Sequence, residues 1–158
     1  MVSLKWCCEK KDGIILIEPN DNLAQSYLKM AEDALGTMNR EKYYNSIFAI
    51  SACYYSMYYS LYAILMRFGI KCEIHACTLE LMKSLLLRYY SNEEMQTIKK
   101  AFDARNIVQY YANKFVSKED SEFIMNRAVF FISKSKEILS IINEKNINET
   151  REKIRKLV

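Results

Sequence analysis

Apolar residues recur at helical intervals along most of the chain. Leu23, Tyr27, Met30, Ala31 and Ala34 share one face of a first long helix, with Asn20 or Asp21 placed to cap its start and Gly36 near its end. Leu79, Met82, Leu85 and Leu86 repeat the pattern in a helix running from about His75 to Tyr90. Ser91-Asn92-Glu93-Glu94 reads as a capping box that opens the next helix, through Ile98, Phe102 and Arg105 to about Tyr111. Ser117-Lys118-Glu119-Asp120 repeats the start signal for a helix carrying Phe123, Ile124, Ala128, Phe131, Ile132, Ile138 and Leu139. Short connections between long helices imply antiparallel neighbours. The expected fold is therefore all-α, an up-and-down bundle of four to five helices.

One stretch departs from this amphipathic pattern. From Tyr43 to Met66 there is no charge, a length that would suit a membrane span. Seven tyrosines, four serines and an asparagine make up half of it, and those polar groups would need partners inside hydrocarbon. Aromatic residues with polar tips belong at a membrane's edges rather than through its centre. The stretch therefore reads as the central helix of a soluble bundle, with no membrane association. Ala49, Ala52, Ser56, Ser60 and Ala63 fall on one narrow stripe that a neighbouring helix can approach closely. Tyr54, Tyr58 and Tyr62 lie opposite, with Phe48, Tyr55 and Tyr59 on a third flank. Most of these rings read as core, but a buried phenol needs a hydrogen-bond partner, so some hydroxyls are candidates to line a cleft or an interface.

The ends differ from the middle. Residues 1–19 hold two short apolar pieces, Leu4–Cys8 and Ile14–Ile17, around Asp12-Gly13. A hairpin-like extension, or a short helix followed by an extended strand, serves equally. Residues 20–145 form the helical bundle, and 146–158 a basic tail with Arg151, Lys153, Arg155 and Lys156. That tail is a candidate phosphate contact or simply a solvated helix end. Three glycines and one proline leave few of the breaks that a sheet with tight turns uses. The net charge of +4 permits a nucleic-acid partner without requiring one. Five cysteines in no secreted-framework pattern, behind an N-terminus without a signal-like apolar region, suggest free thiols and a cytoplasmic location. Cys72, His75 and Cys77 lie close in sequence, but their spacing is unlike a zinc site, so no metal is assigned.

Catalytic templates find little purchase. A single histidine excludes an internal histidine pair, and the scattered glycines build no phosphate-cradling loop. Glu93-Glu94 and Glu119-Asp120 sit at helix starts, where negative charge favours the helix dipole. Arg105 is the exception, because it lies one turn from Phe102 near an apolar face. A guanidinium there can fork onto phosphate, with Asn106 and neighbouring tyrosine hydroxyls adding neutral hydrogen bonds. The competing reading is an internal ion pair with Asp103 or with a carboxylate on another helix.

The order of these features resembles the HEPN family, the nucleotide-binding domains of higher eukaryotes and prokaryotes. Ala52-Cys53-Tyr54-Tyr55-Ser56-Met57-Tyr58 is similar to the family's alanine-tyrosine-tyrosine-alanine signature, and Gly69, His75 and the stretch from Arg105 to Tyr110 follow in the family's order. The resemblance runs from about Asn22 to Leu139. It implies a homodimer with a polar arginine motif facing the cleft between subunits, and a nucleotide or RNA as ligand, with no cofactor. It also implies a small nucleotidyltransferase as companion in a toxin-antitoxin-like or defence pair. The implied ligand-binding residues are Arg105, Asn106, Tyr110 and Tyr111, with His75 if it reaches the same cleft. RNase members of the family place a histidine a few residues after the arginine, and here Tyr110 or Tyr111 stands in its place. A histidine works near its neutral pKa, whereas tyrosine, at about 10, is a poor general base at neutral pH. The expectation is accordingly binding without a catalytic residue. The alternatives are a metal-independent endoribonuclease built on Arg105 and a structural module whose tyrosine-rich helix docks a second protein.

Overall fold

In a computed structural model, residues 2–157 are described. Helix α1 (Leu4–Cys8) and strand β1 (Ile14–Leu16) come first, then α2 (Asp21–Glu41) and the central helix α3 (Ser46–Phe68). Strand β2 (Ile70–Cys72), α4 (His75–Leu85), α5 (Asn92–Tyr110), α6 (Lys118–Ile141) and α7 (Glu144–Arg155) complete the chain. The fold is all-α apart from one small two-stranded sheet. Of the two alternatives for the N-terminal piece, the short helix followed by an extended strand is the one that forms. The partner of β1 is β2, antiparallel, with Ile14 opposite Cys72 and Leu16 opposite Ile70.

Local signals set most helix ends. Asn20 and Asn45 accept from the amides of Leu23 and Phe48, opening α2 and α3. Ser91 and Glu94 close the expected capping box at α5, and Ser117 caps α6. Gly69 ends α3 in the left-handed region, at φ 68°. Gly36 does not end α2, contrary to the sequence expectation. The helix runs one more turn because Met38, beyond the glycine, is buried in the core. That packing outweighs the roughly 1 kcal/mol by which glycine disfavours a helix interior.

From Ala49 onward α3 is largely buried against α2, α5 and α6, which explains why it carries no charge before Arg67 in its last turn. No helix among the described residues is long and apolar enough to cross a membrane. The stripe of small residues lets helices approach: Ser56, Ser60 and Ala63 are fully buried, and Ser60 accepts a hydrogen bond from Ser135 of α6 at 3.2 Å. Tyr90 and Ser135 share a further bond of 2.7 Å. The stripe is therefore consumed inside the bundle and offers no surface to a second protein.

The two ends of the chain are tied to the bundle. Arg151, on α7, is buried, and its Nη1 donates to the carbonyls of Ile17, Phe68 and Gly69 at 2.5, 3.2 and 3.0 Å. This guanidinium of the basic tail thus holds the α3–β2 turn to the approach of α2 and is not available to phosphate. Cys7 and Cys77 form a disulfide between α1 and α4, with Cα atoms 5.7 Å apart, correcting the expectation of five free thiols. The pairing joins positions 70 residues apart, so no sequence spacing announces it. Cys8, Cys53 and Cys72 are free.

Candidate functional site

Helices α3, α4 and α5 meet around an aromatic cluster, and each supplies one part of the candidate site. From α3 come Tyr54 and Tyr55, from α4 its first residue His75, and from α5 Phe102, Arg105, Asn106 and Tyr110. The twin tyrosines diverge because successive helical residues point about 100° apart. Tyr54 is fully buried, whereas Tyr55 is only partly so.

Arg105 lies half-buried at the edge of this cluster. Its Nη1 donates to Asn106 Oδ1 at 3.1 Å and to the Tyr110 hydroxyl at 3.2 Å, while Nη2 donates to the Tyr55 hydroxyl at 3.0 Å. The Tyr55 and Tyr110 rings also lie 5.6 and 5.2 Å from the guanidinium carbon, within cation–π range. Burial works against the charge, but the two hydroxyls outweigh it and the net shift of the Arg105 pKa is upward. Among the described residues, Arg105 makes no ion pair, and its buried Nε finds no acceptor. Asp103, the expected internal partner, is instead bound by Lys99 one turn earlier, with an N–O distance of 2.5 Å. The choice left open by the sequence therefore falls against the internal ion pair with Asp103. A cation held only by neutral groups keeps its Coulomb attraction for an incoming anion.

His75 belongs to the same cluster within one chain. Its Nδ1 lies 2.6 Å from the Tyr54 hydroxyl, its ring stacks on Tyr58 at 4.3 Å, and the Tyr55 ring is 6.1 Å away. Burial lowers its pKa, and the nearby Arg105 charge lowers it further, so the imidazole is neutral at pH 7. Burial also pushes the Tyr54 hydroxyl well above the usual phenol range. A protonated phenol with no other partner donates to Nδ1, which leaves the imidazole proton on Nε2. The trio of Cys72, His75 and Cys77 is drawn apart chemically. The Cys77 sulfur is in the disulfide, the buried Cys72 thiol points to the Ile74 carbonyl, and His75 faces Tyr54.

Tyr111 does not join Arg105. It stands beyond the end of α5 and lines a separate cleft with the start of α3 and the segment that leads into α6. Tyr55, conversely, is a site residue that spacing alone did not single out. Its place on the flank with Phe48 and Tyr59 was legible, but the approach of α5 to that flank was not. Behind it, Tyr59 stacks on Tyr55 at 5.5 Å, and Tyr27 of α2 lies 6.2 Å from Tyr59, so the hydroxyl meeting Arg105 is backed by a file of rings.

Comparison with known proteins places these features in a family. The model of the HEPN domain matches residues 22–139, well over half of the chain and every element that contributes to the Arg105 cluster. A protein of Methanocaldococcus jannaschii named "Putative toxin MJ0142" is 29% identical over 104 residues, covering 63% of this chain and 71% of that protein.

Proposed function

The chain belongs to the HEPN domain family, and on that premise we propose that it is a toxin-like protein that binds RNA or a nucleotide through Arg105. The observation that carries the reading is the half-buried guanidinium whose partners are the neutral groups of Tyr55, Asn106 and Tyr110. A phosphate oxygen supplies the negative charge that this arrangement lacks, and the two hydroxyls hold the fork in place before it arrives. The toxin-like assignment is supported by the name of the M. jannaschii relative. In this reading the protein works as a homodimer beside a small nucleotidyltransferase, as the family resemblance implies. Titration of purified protein with labelled RNA and with ATP tests the binding. Arg105→Ala weakens it about tenfold or more in this account; equal binding by the variant overturns the account.

One observation favours a second reading, cleavage of the bound RNA. His75 sits in the same cluster as Arg105, and with Nδ1 taken by the Tyr54 hydroxyl its Nε2–H is the group that can donate to a phosphate oxygen of the bound strand. Incubation of total RNA with the protein in EDTA decides between the readings. Cleavage that vanishes in both Arg105→Ala and His75→Gln supports the nuclease, and intact RNA at high protein concentration rules it out.

A further inference from the structure

The cleft that Tyr111 lines has a volume of about 750 Å³ and opens between the start of α3 and the segment joining α5 to α6. Its two walls repeat one combination, an aromatic ring beside an ammonium group. On one wall the Lys42 Nζ lies 4.9 Å from the centre of the Tyr43 ring. On the other the Lys114 Nζ lies 4.1 Å from the centre of the Tyr111 ring, with Phe115 next in sequence. Tyr43 is 80% exposed and Phe115 88% exposed, large rings left in water. Lys118 adds a third cation, 3.8 Å from Glu122, which is the single carboxylate among the described residues lining the cleft. Three lysines against one glutamate leave the lining clearly basic.

We infer that this cleft is a binding groove for single-stranded RNA, with Lys42 and Lys114 meeting phosphates and Tyr43, Tyr111 and Phe115 stacking on bases. Rings interleaved with cations match a strand whose bases and phosphates alternate, and stacking needs bases whose faces are free. A duplex hides those faces. A second copy of this chain is the poorer occupant, because a two-fold contact through the cleft would bring together two linings that each carry three lysines and one glutamate. The groove and the Arg105 site are separate but share the end of α5. Tyr110 and Tyr111 are consecutive, so the end of α5 places one ring on the guanidinium and the next in the cleft. The inference rests on the reading of Arg105 as a phosphate site, and deepens it by specifying a single strand and a second surface that holds it.

The test is fluorescence anisotropy with a labelled single-stranded RNA of mixed sequence, and with the same sequence as a duplex, at about 50 and 200 mM salt. The full chain is compared with Phe115→Ala, Lys114→Gln and Arg105→Ala. Phe115 and Lys114 are exposed side chains, so their removal leaves the fold intact, which circular dichroism verifies. The single strand is expected to bind at least about tenfold more tightly than the duplex, and Phe115→Ala to weaken it about fivefold or more. Lys114→Gln is expected to reduce the slope of log affinity against log salt by about 0.7. Wild-type affinity in both cleft variants, or equal binding of the duplex, overturns the groove. Unchanged RNA affinity with a dimer split by Phe115→Ala overturns it too, and assigns the cleft to a second copy. If Arg105→Ala loses binding while the cleft variants keep it, the phosphate site stands and the groove falls. The reverse pattern keeps the groove and removes Arg105 as the phosphate site.

Discussion

Arg105 donates through Nη2 to the hydroxyl of Tyr55 at 3.0 Å, joining residues 50 positions apart. The bond fixes the direction of a guanidinium whose remaining partners, Asn106 and Tyr110, lie on its own helix. Tyr55→Phe removes the acceptor but keeps the ring and its stacking on Tyr59. The loss of one charge-assisted hydrogen bond is expected to lower RNA affinity about three- to tenfold through a less ordered Arg105, with the melting temperature little changed. Isothermal titration beside a thermal melt checks both halves. Unaltered affinity would show that Tyr55 does not position the arginine.

Burial and the Arg105 charge hold the His75 pKa below its ordinary value of about 6.5. The folded state therefore binds this proton less readily than the unfolded state. The resulting stability is fully present above pH 6.5 and is lost as pH falls through that value towards the folded pKa. Urea unfolding between pH 7.5 and 5.5 should show a decline that is flatter in His75→Gln. An equal decline in both proteins would assign it to other groups.

Gly69 adopts a φ of 68°, and a Cβ there would lie 2.2 Å from Arg151 Nη1 and 2.4 Å from the Ile17 carbonyl oxygen. Gly69→Ala meets both the left-handed backbone and these contacts, and is expected to cost about 2 kcal/mol or more. Arg151→Ala leaves buried carbonyls without their donor and is expected to cost about 3 kcal/mol. Because the two residues act on one turn, the double variant should be less destabilised than the sum of the singles. Denaturant melts of the three proteins measure that coupling.

The Cys7–Cys77 disulfide closes a long loop between α1 and α4. Thiol titration of denatured protein should count three groups without reductant, from Cys8, Cys53 and Cys72, and five after reduction. Cys7→Ser with Cys77→Ser is expected to lower stability by about 2–4 kcal/mol.

What could be read from the sequence divides by the range of the interaction. The capping box at Ser91 and Glu94 and the Asn20 cap depend on residues within a turn, and each is where the pattern put it. The central helix was legible because most of a charge-free stretch rich in tyrosine fits a bundle interior, while its first residues, among them Tyr43 and Phe48, stand exposed. Arg105 stood out by its place near an apolar face. Its partner Tyr55 did not, since that contact needs the packing of α5 on α3. Gly36 misled because a local preference yielded to the burial of Met38. Arg151 looked like part of a solvated end because a run of charge conceals the one residue that turns inward. Cys7 and Cys77 carried no signal beyond being cysteines. Tyr111 shared the motif of Arg105 in sequence yet turns to a different cleft.

The central claim is that Arg105 is a phosphate site held open by neutral partners. The most direct measurement is the affinity of a labelled RNA, at low salt, for the wild-type protein and for Arg105→Ala and Arg105→Lys, each shown to be folded. The account predicts binding by the wild type, a loss of about tenfold or more in Arg105→Ala, and incomplete rescue by Arg105→Lys, because an ammonium cannot reproduce the planar fork. Equal affinity across the three proteins would contradict it.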